Sequence, residues 1–147
     1  MNTVKIRRIS EDELPWVNSC YEKIGFKSSK FSNEFIVIAE FENQKCGLGR
    51  LVKIDEENWE LGGIFVNDNY RGLGVARAIV SYLCSETDLS YKNIWCLPFE
   101  DLNNFYHGFG FDNPKVTPPE SISEKHLWCN TLAGYTKKVL LLSKHIE

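Results

Sequence analysis

Asn69-Tyr70-Arg71-Gly72-Leu73-Gly74-Val75-Ala76-Arg77-Ala78-Ile79-Val80 joins two segments of opposite character. Before it runs Leu61-Gly62-Gly63-Ile64-Phe65-Val66, an apolar β-type run; after Gly74 the chain through Leu83 has few breakers and reads as a helix. Strand, glycine-rich turn and helix in that order make a place where backbone N–H groups at a helix start converge on an anion. Glycines at 72 and 74 leave out the Cβ atoms that would hold a phosphate away from those amides. Arg71 adds a cation at the rim, able to form charge-assisted hydrogen bonds. The stretch therefore predicts a site for a phosphorylated ligand.

Three phosphate loops compete for it. A Walker-type loop needs Gly-Lys-Ser/Thr after the turn, and Val75-Ala76 stands there instead. A dinucleotide fingerprint needs a third glycine at position 77, which is Arg77. The third pattern, Arg/Gln-x-x-Gly-x-Gly/Ala, is met by Arg71, Gly74 and Ala76. A turn that serves only to pack strand on helix would carry the same glycines.

A second pattern lies about thirty residues downstream. Leu102-Asn103-Asn104-Phe105-Tyr106-His107-Gly108-Phe109-Gly110-Phe111 contains Phe-Tyr-x-x-x-Gly-Phe in a short helical segment. With both patterns in hand, the chain resembles the GNAT superfamily of acyl-CoA-dependent N-acyltransferases over roughly residues 34–111. The resemblance implies a mixed α/β fold. Its sheet would be central, mostly antiparallel, of six or seven strands, splayed between strands 4 and 5 and flanked by helices. It also implies one domain over residues 1–147, with acetyl-CoA as co-substrate and no metal.

The implied reaction is transfer of an acetyl group from acetyl-CoA to a primary amine, on a small molecule or on a protein. Arg71, Gly72, Leu73, Gly74, Val75 and Ala76 would hold the CoA pyrophosphate. The amides around Ile64, Phe65 and Val66 would meet the thioester and pantetheine, Gly62-Gly63 permitting the bulge that turns one of them inward. Such an amide would stabilise the oxyanion. Tyr106 would be the general acid that protonates the leaving thiolate; its other reading is a core tyrosine among Phe105, Phe109 and Phe111. Glu60 matches the place of a general-base glutamate, which an amine with a pKa of about 10.4 needs at neutral pH. Its other reading is an edge glutamate facing solvent. The family's asparagine at the start of the late helix has Phe99 in its place, and Asn103 or Asn104 is left to make that CoA contact. Asp68 replaces the proline usual after the fourth strand. The same scaffold without turnover, an acyl-CoA-binding or regulatory module, is the competing function.

The rest of the chain sets bounds. At 147 residues it can bury a core without staples. A formal charge of −3 argues against a nucleic-acid partner, which calls for a basic face. Cys20, Cys46, Cys84, Cys96 and Cys129 are odd in number and contain no Cys-x-x-Cys pair, so free thiols in a reducing cytoplasm are expected. His107, His126 and His145 are too scattered for a metal site. No apolar stretch follows Met1, so neither a signal peptide nor a membrane span is expected. Dimerisation is common in the family and a homodimer is one possible assembly.

Element by element, strands are expected at 4–9, 34–40, 45–54, 59–66, 93–97 and 139–142. Helices are expected from Ser10 to about Ile24, over 73–87 and over 101–107, with a helical turn at 121–127. Ser10-x-x-Glu13 reads as a capping box, and Pro15 moves the true helix start later. Gly47-Leu48-Gly49 is a decoy, since a strand-like alternation and no helix follows it. Phe26 to Asn33 is too short for the second helix that commonly walls the acceptor site, so an opened acceptor groove is expected. Trp16, Tyr21, Phe31 and Trp128 are left as pocket aromatics or core.

Overall fold

The computed structural model describes residues 3–85 and 90–145. The first strand, β1 (Val4–Arg8), leads into a 3-10 turn at Glu11–Glu13 and helix α1 (Leu14–Lys23). The capping box is formed, with the Glu13 carboxylate accepting from the Ser10 N–H at 2.9 Å. Pro15 falls in the first turn of α1, where its missing N–H costs nothing. No helix lies between Lys23 and Glu34; residues 24–33 are a loop.

Next come β2 (Glu34–Phe41) and β3 (Gln44–Lys53), joined by Glu42 and Asn43 at φ 51° and 65°. Two left-handed residues in a two-residue loop match the twist of a hairpin. Then follow β4 (Asn58–Val66), helix α2 (Val75–Ser85), β5 (Asn93–Cys96), helix α3 (Asn103–His107), helix α4 (Glu120–Thr131) and β6 (Leu142–His145). The expected end of α2 at residue 87 lies outside the described residues.

The sheet runs β1-β2-β3-β4-β5-β6. Pairs β1–β2, β2–β3 and β5–β6 are antiparallel, and β4–β5 is parallel. The mixed, mostly antiparallel sheet with flanking helices is as expected, with six strands. The parallel ladder covers only Asn58–Leu61 of β4, against Asn93–Cys96.

Among the described residues, 3–52 and 62–85 form one compact unit, and 53–61 with 90–145 another. In the first, α1 sends Val17, Cys20 and Tyr21 onto Ile36, Ile38 and Leu48. On the other face of β3, a Cβ on Gly47 would sit 2.7 Å from the Phe65 carbonyl of β4 and 3.0 Å from Val75 Cγ1 of α2. A Cβ on Gly49 would sit 2.5 Å from Ile79 Cγ2. The decoy glycines are therefore spacers for helix packing. In the second unit Trp95 is fully buried, and its indole N–H donates to Asn58 Oδ1 at 2.8 Å.

Two elements differ from expectation. The last strand begins at Leu142, three residues after the apolar run opens. Val139 instead makes an isolated bridge to Phe99, and the Leu140 N–H donates to the Pro98 carbonyl at 2.7 Å. The turn expected at 121–127 is the twelve-residue α4, which buries Ile122 and Cys129 and leaves Leu127 and Trp128 exposed. In its last turn, the Asn130 side chain imitates a strand rung. Its Nδ2 donates to the Val139 carbonyl and its Oδ1 accepts the Val139 N–H, both at 2.9 Å.

Candidate functional site

In the first unit, β4 ends in the turn and α2 begins in it. Asn67 caps a 3-10 turn (Asp68–Tyr70), its Oδ1 accepting the Asn69 N–H at 3.1 Å. Asp68 thus sits in a turn whose backbone is satisfied without proline. Gly72 and Gly74 then adopt φ of 80° and 78°, and nothing lies within 4 Å of a Cβ at either. Only glycine holds that conformation without strain. The Ala78 N–H closes the first helical bond on Gly74. The amides of Gly72, Leu73, Gly74, Val75 and Ala76 have no acceptor among the described residues. Those of Gly74, Val75 and Ala76 are the orphan donors every helix start carries, those of Gly72 and Leu73 belong to the turn before it, and the partial positive charge there favours an anion.

Around this turn the predicted residues divide by depth. Arg71, Gly72, Leu73 and Gly74 are exposed, Ala76 is half-buried and Val75 is buried. Any part Val75 plays with a ligand falls to its amide, because its side chain packs on Gly47. The Arg71 Nε lies 3.0 Å from Asp68 Oδ1, with both side chains largely in water. Such a pair is worth well under about 1 kcal/mol and yields readily to a phosphate. Ile64, Phe65, Val66 and Arg71 share the wall of one groove of about 590 Å³ with the 67–69 turn and Ile24.

Upstream on β4, Gly63 has φ 61°, a left-handed residue inside a strand. Its carbonyl is not left to the sheet. The Tyr21 hydroxyl, on a fully buried ring, donates to it at 2.7 Å. Burial raises the Tyr21 phenol well above its ordinary range, so it stays a neutral donor. The Arg50 guanidinium lies 4.3 Å over the Tyr21 ring. Arg50 in turn donates to Ser29 Oγ and stands 3.8 Å from Glu34.

In the second unit, Tyr106 on α3 is 6% exposed. Its ring meets Phe105 at 5.0 Å and Phe111 at 5.9 Å, edge to face. Phe109 packs against Phe105 at 5.3 Å. Asn103 is exposed on the same helix and lines a separate groove of about 510 Å³ with Asn104, His107 and Glu100. Glu60 on β4 is mostly buried at 16% exposure, and its Oε2 accepts from Lys125 Nζ at 2.6 Å. Sequence reading gave no sign of Lys125, which lies 65 positions away on α4. Arg50, Ser29 and Glu34 were equally unmarked, since nothing in their spacing sets them apart from surface polar residues.

Of the four aromatics left open, Tyr21 is core, and Trp16 and Phe31 are partly buried against the same cluster. Trp128 is 48% exposed on α4. Among the described residues, no three His, Cys, Asp or Glu side chains are grouped to hold a metal ion. Nor is any described helix long and apolar enough to cross a membrane.

The sequence model of the acetyltransferase (GNAT) domain matches residues 32–113. The chain belongs to the GNAT acetyltransferase family. This GNAT protein is accordingly an acyltransferase by class, and solved structures share its fold. One is a GNAT family acetyltransferase from Elizabethkingia anophelis with acetyl-CoA bound, at TM-score 0.66 and 14% identity over 97% of this chain and 98% of that one. Another is the ribosomal-protein-S18-alanine N-acetyltransferase from Escherichia coli, at 0.70 and 14% over 100% and 95%. N-acetylglutamate synthase from Neisseria gonorrhoeae, complexed with coenzyme A and L-arginine, matches at 0.70 and 12% over 98% of this chain. The GNAT protein spans only 33% of that synthase's length. No curated protein matches it by sequence.

Proposed function

We propose that this GNAT acetyltransferase moves an acetyl group from acetyl-CoA to a primary amine by direct attack. The amine nitrogen forms a bond to the thioester carbon, the C–S bond breaks, and the sulfur leaves as thiolate. Glu60 takes the amine's proton, directly or through water, and Tyr106 gives the thiolate one. The amides of Gly72 to Ala76, with Arg71, grip the pyrophosphate; amides near Ile64, Phe65 and Val66 face the thioester and pantetheine, and Asn103 adds a CoA contact. The carrying observation is the row of unengaged amides between two left-handed glycines at the start of α2. Relatives of the same fold hold CoA or acetyl-CoA, which supports the choice of co-substrate. Relatives of the fold are named for different products and acceptors, N-acetylglutamate and a ribosomal-protein alanine, and the acceptor is a small-molecule or protein amine.

One observation favours a second reading, an acyl-CoA-binding module without turnover. The Glu60 carboxylate is engaged by the Lys125 ammonium, so in this state the proposed base is occupied. The enzyme reading requires the acceptor's ammonium to take Lys125's place.

Calorimetric titration with CoA, followed by acetyl-CoA and an amine library read by mass spectrometry, tests both. CoA binding with acetylated product supports the enzyme. Binding without product supports the module. No binding overturns the loop assignment.

A further inference from the structure

At Gly63, β4 turns a carbonyl to a side chain in the core of the first unit. A carbonyl inside a sheet ordinarily points to the neighbouring strand. Here the positive φ of Gly63 rotates it, and the Tyr21 hydroxyl takes it at 2.7 Å. Every described peptide bond is trans. In a trans peptide the C=O and the next N–H point in opposite directions. With the Gly63 carbonyl drawn toward Tyr21, the Ile64 N–H is aimed away from it. No side chain can replace this glycine, because a Cβ would stand 2.5 Å from the Tyr21 oxygen and 2.8 Å from Arg50 Nε.

The tyrosine is itself held. Arg50 covers its ring at 4.3 Å and is anchored by Ser29 and Glu34, with side-chain exposures of only 12% for Arg50 and 10% for Glu34. Ser29 is fixed in the 24–33 loop by Asn18, which accepts its N–H at 2.6 Å and donates to its carbonyl at 3.1 Å. A chain of contacts thus runs from α1 and the loop to a single peptide plane of β4. A buried charged cluster is costly to assemble for stability alone, and here its last link orients one backbone amide.

We infer that Tyr21 is a positioning residue for acyl transfer: by holding the Gly63 carbonyl it presents the Ile64 N–H to the thioester oxygen. This rests on the function proposed above. Tyr21 touches no reacting atom and moves no proton; the burial that keeps its phenol neutral suits a fixed donor.

The test compares wild type with Tyr21→Phe, which removes one oxygen and keeps the ring under Arg50. Calorimetry measures affinity for CoA and for acetyl-CoA, and steady-state kinetics separates kcat from the amine KM. The expected result is unchanged CoA affinity, which also shows the variant folded, with the preference for acetyl-CoA over CoA lost. In addition kcat should fall about 10- to 100-fold at constant amine KM, less than the ~10²–10³ lost when an oxyanion donor is removed outright. A retained acetyl-CoA preference with kcat within twofold would overturn the inference. So would an equal loss of affinity for both ligands, which would make Tyr21 a core residue only. A wild-type chain that binds neither ligand would strike instead at the proposed function.

Discussion

Glu60 and Glu13 are two carboxylates in ion pairs, and their surroundings give them different work. Glu60 meets a lysine that is half in water, so the pair adds well under about 1 kcal/mol and can be exchanged for a substrate ammonium. Glu60→Gln should therefore leave the melting temperature nearly unchanged while lowering kcat about 10²-fold; a pH–rate profile superimposable on wild type would remove Glu60 as the base. Lys125→Ala should lower the amine KM several-fold in steady-state assays if the two ammonium groups compete. Glu13 is structural. Hydrogen bonds from the Arg7 guanidinium, chiefly, hold its carboxyl far below the usual range. A depressed folded value stabilises the protein above the unfolded value of about 4.3 and is lost as pH falls below it. With Arg7 40% exposed, screening cuts the contribution to about 1 kcal/mol. Urea unfolding should show Glu13→Gln less stable by that amount at pH 7, and the gap should narrow below about pH 4.

At the scale of elements, glycines with the same spelling serve opposite ends. Gly47 and Gly49 admit α2 to β3, and Gly47→Ala should cost about 2 kcal/mol or more by forcing a Cβ against a carbonyl, read as a drop in denaturation midpoint. Gly74 faces open space. Gly74→Asp should cost only the roughly 1–2 kcal/mol of a left-handed residue yet abolish CoA binding in a titration, because its carboxylate would meet the pyrophosphate. This contrast was readable beforehand: a helix follows Gly74, and a strand alternation follows Gly49. The hairpin, the capping box and the order of strands were readable too, since they rest on local pattern. The register of β6 was not. Val139 and Leu140, which open the apolar run, are spent on a bridge and a bond to Pro98, and the ladder falls on Leu142–His145. Helix α4 hid for a related reason, its apolar residues being split between a buried and an exposed side. The Tyr21–Gly63 and Lys125–Glu60 contacts join residues 42 and 65 positions apart, and no spacing rule reaches that far.

Over the whole molecule, chemistry at sulfur gives an independent probe. None of the five cysteines is in a disulfide, so the melting temperature should be the same with and without reductant. Burial raises the thiols of Cys20, Cys46 and Cys129, which keeps them protonated and slow. A thiol reagent at mildly alkaline pH should therefore label Cys84 first, with these three following only as denaturant is added; equal labelling rates in the native protein would contradict that burial. The rung that Asn130 makes with Val139 carries a different consequence. Because both hydrogen bonds of a backbone pair come from one amide side chain, the segment between those two residues is tied off at its base like the neck of a bag. Its length and composition can therefore change without disturbing the strand beyond the knot.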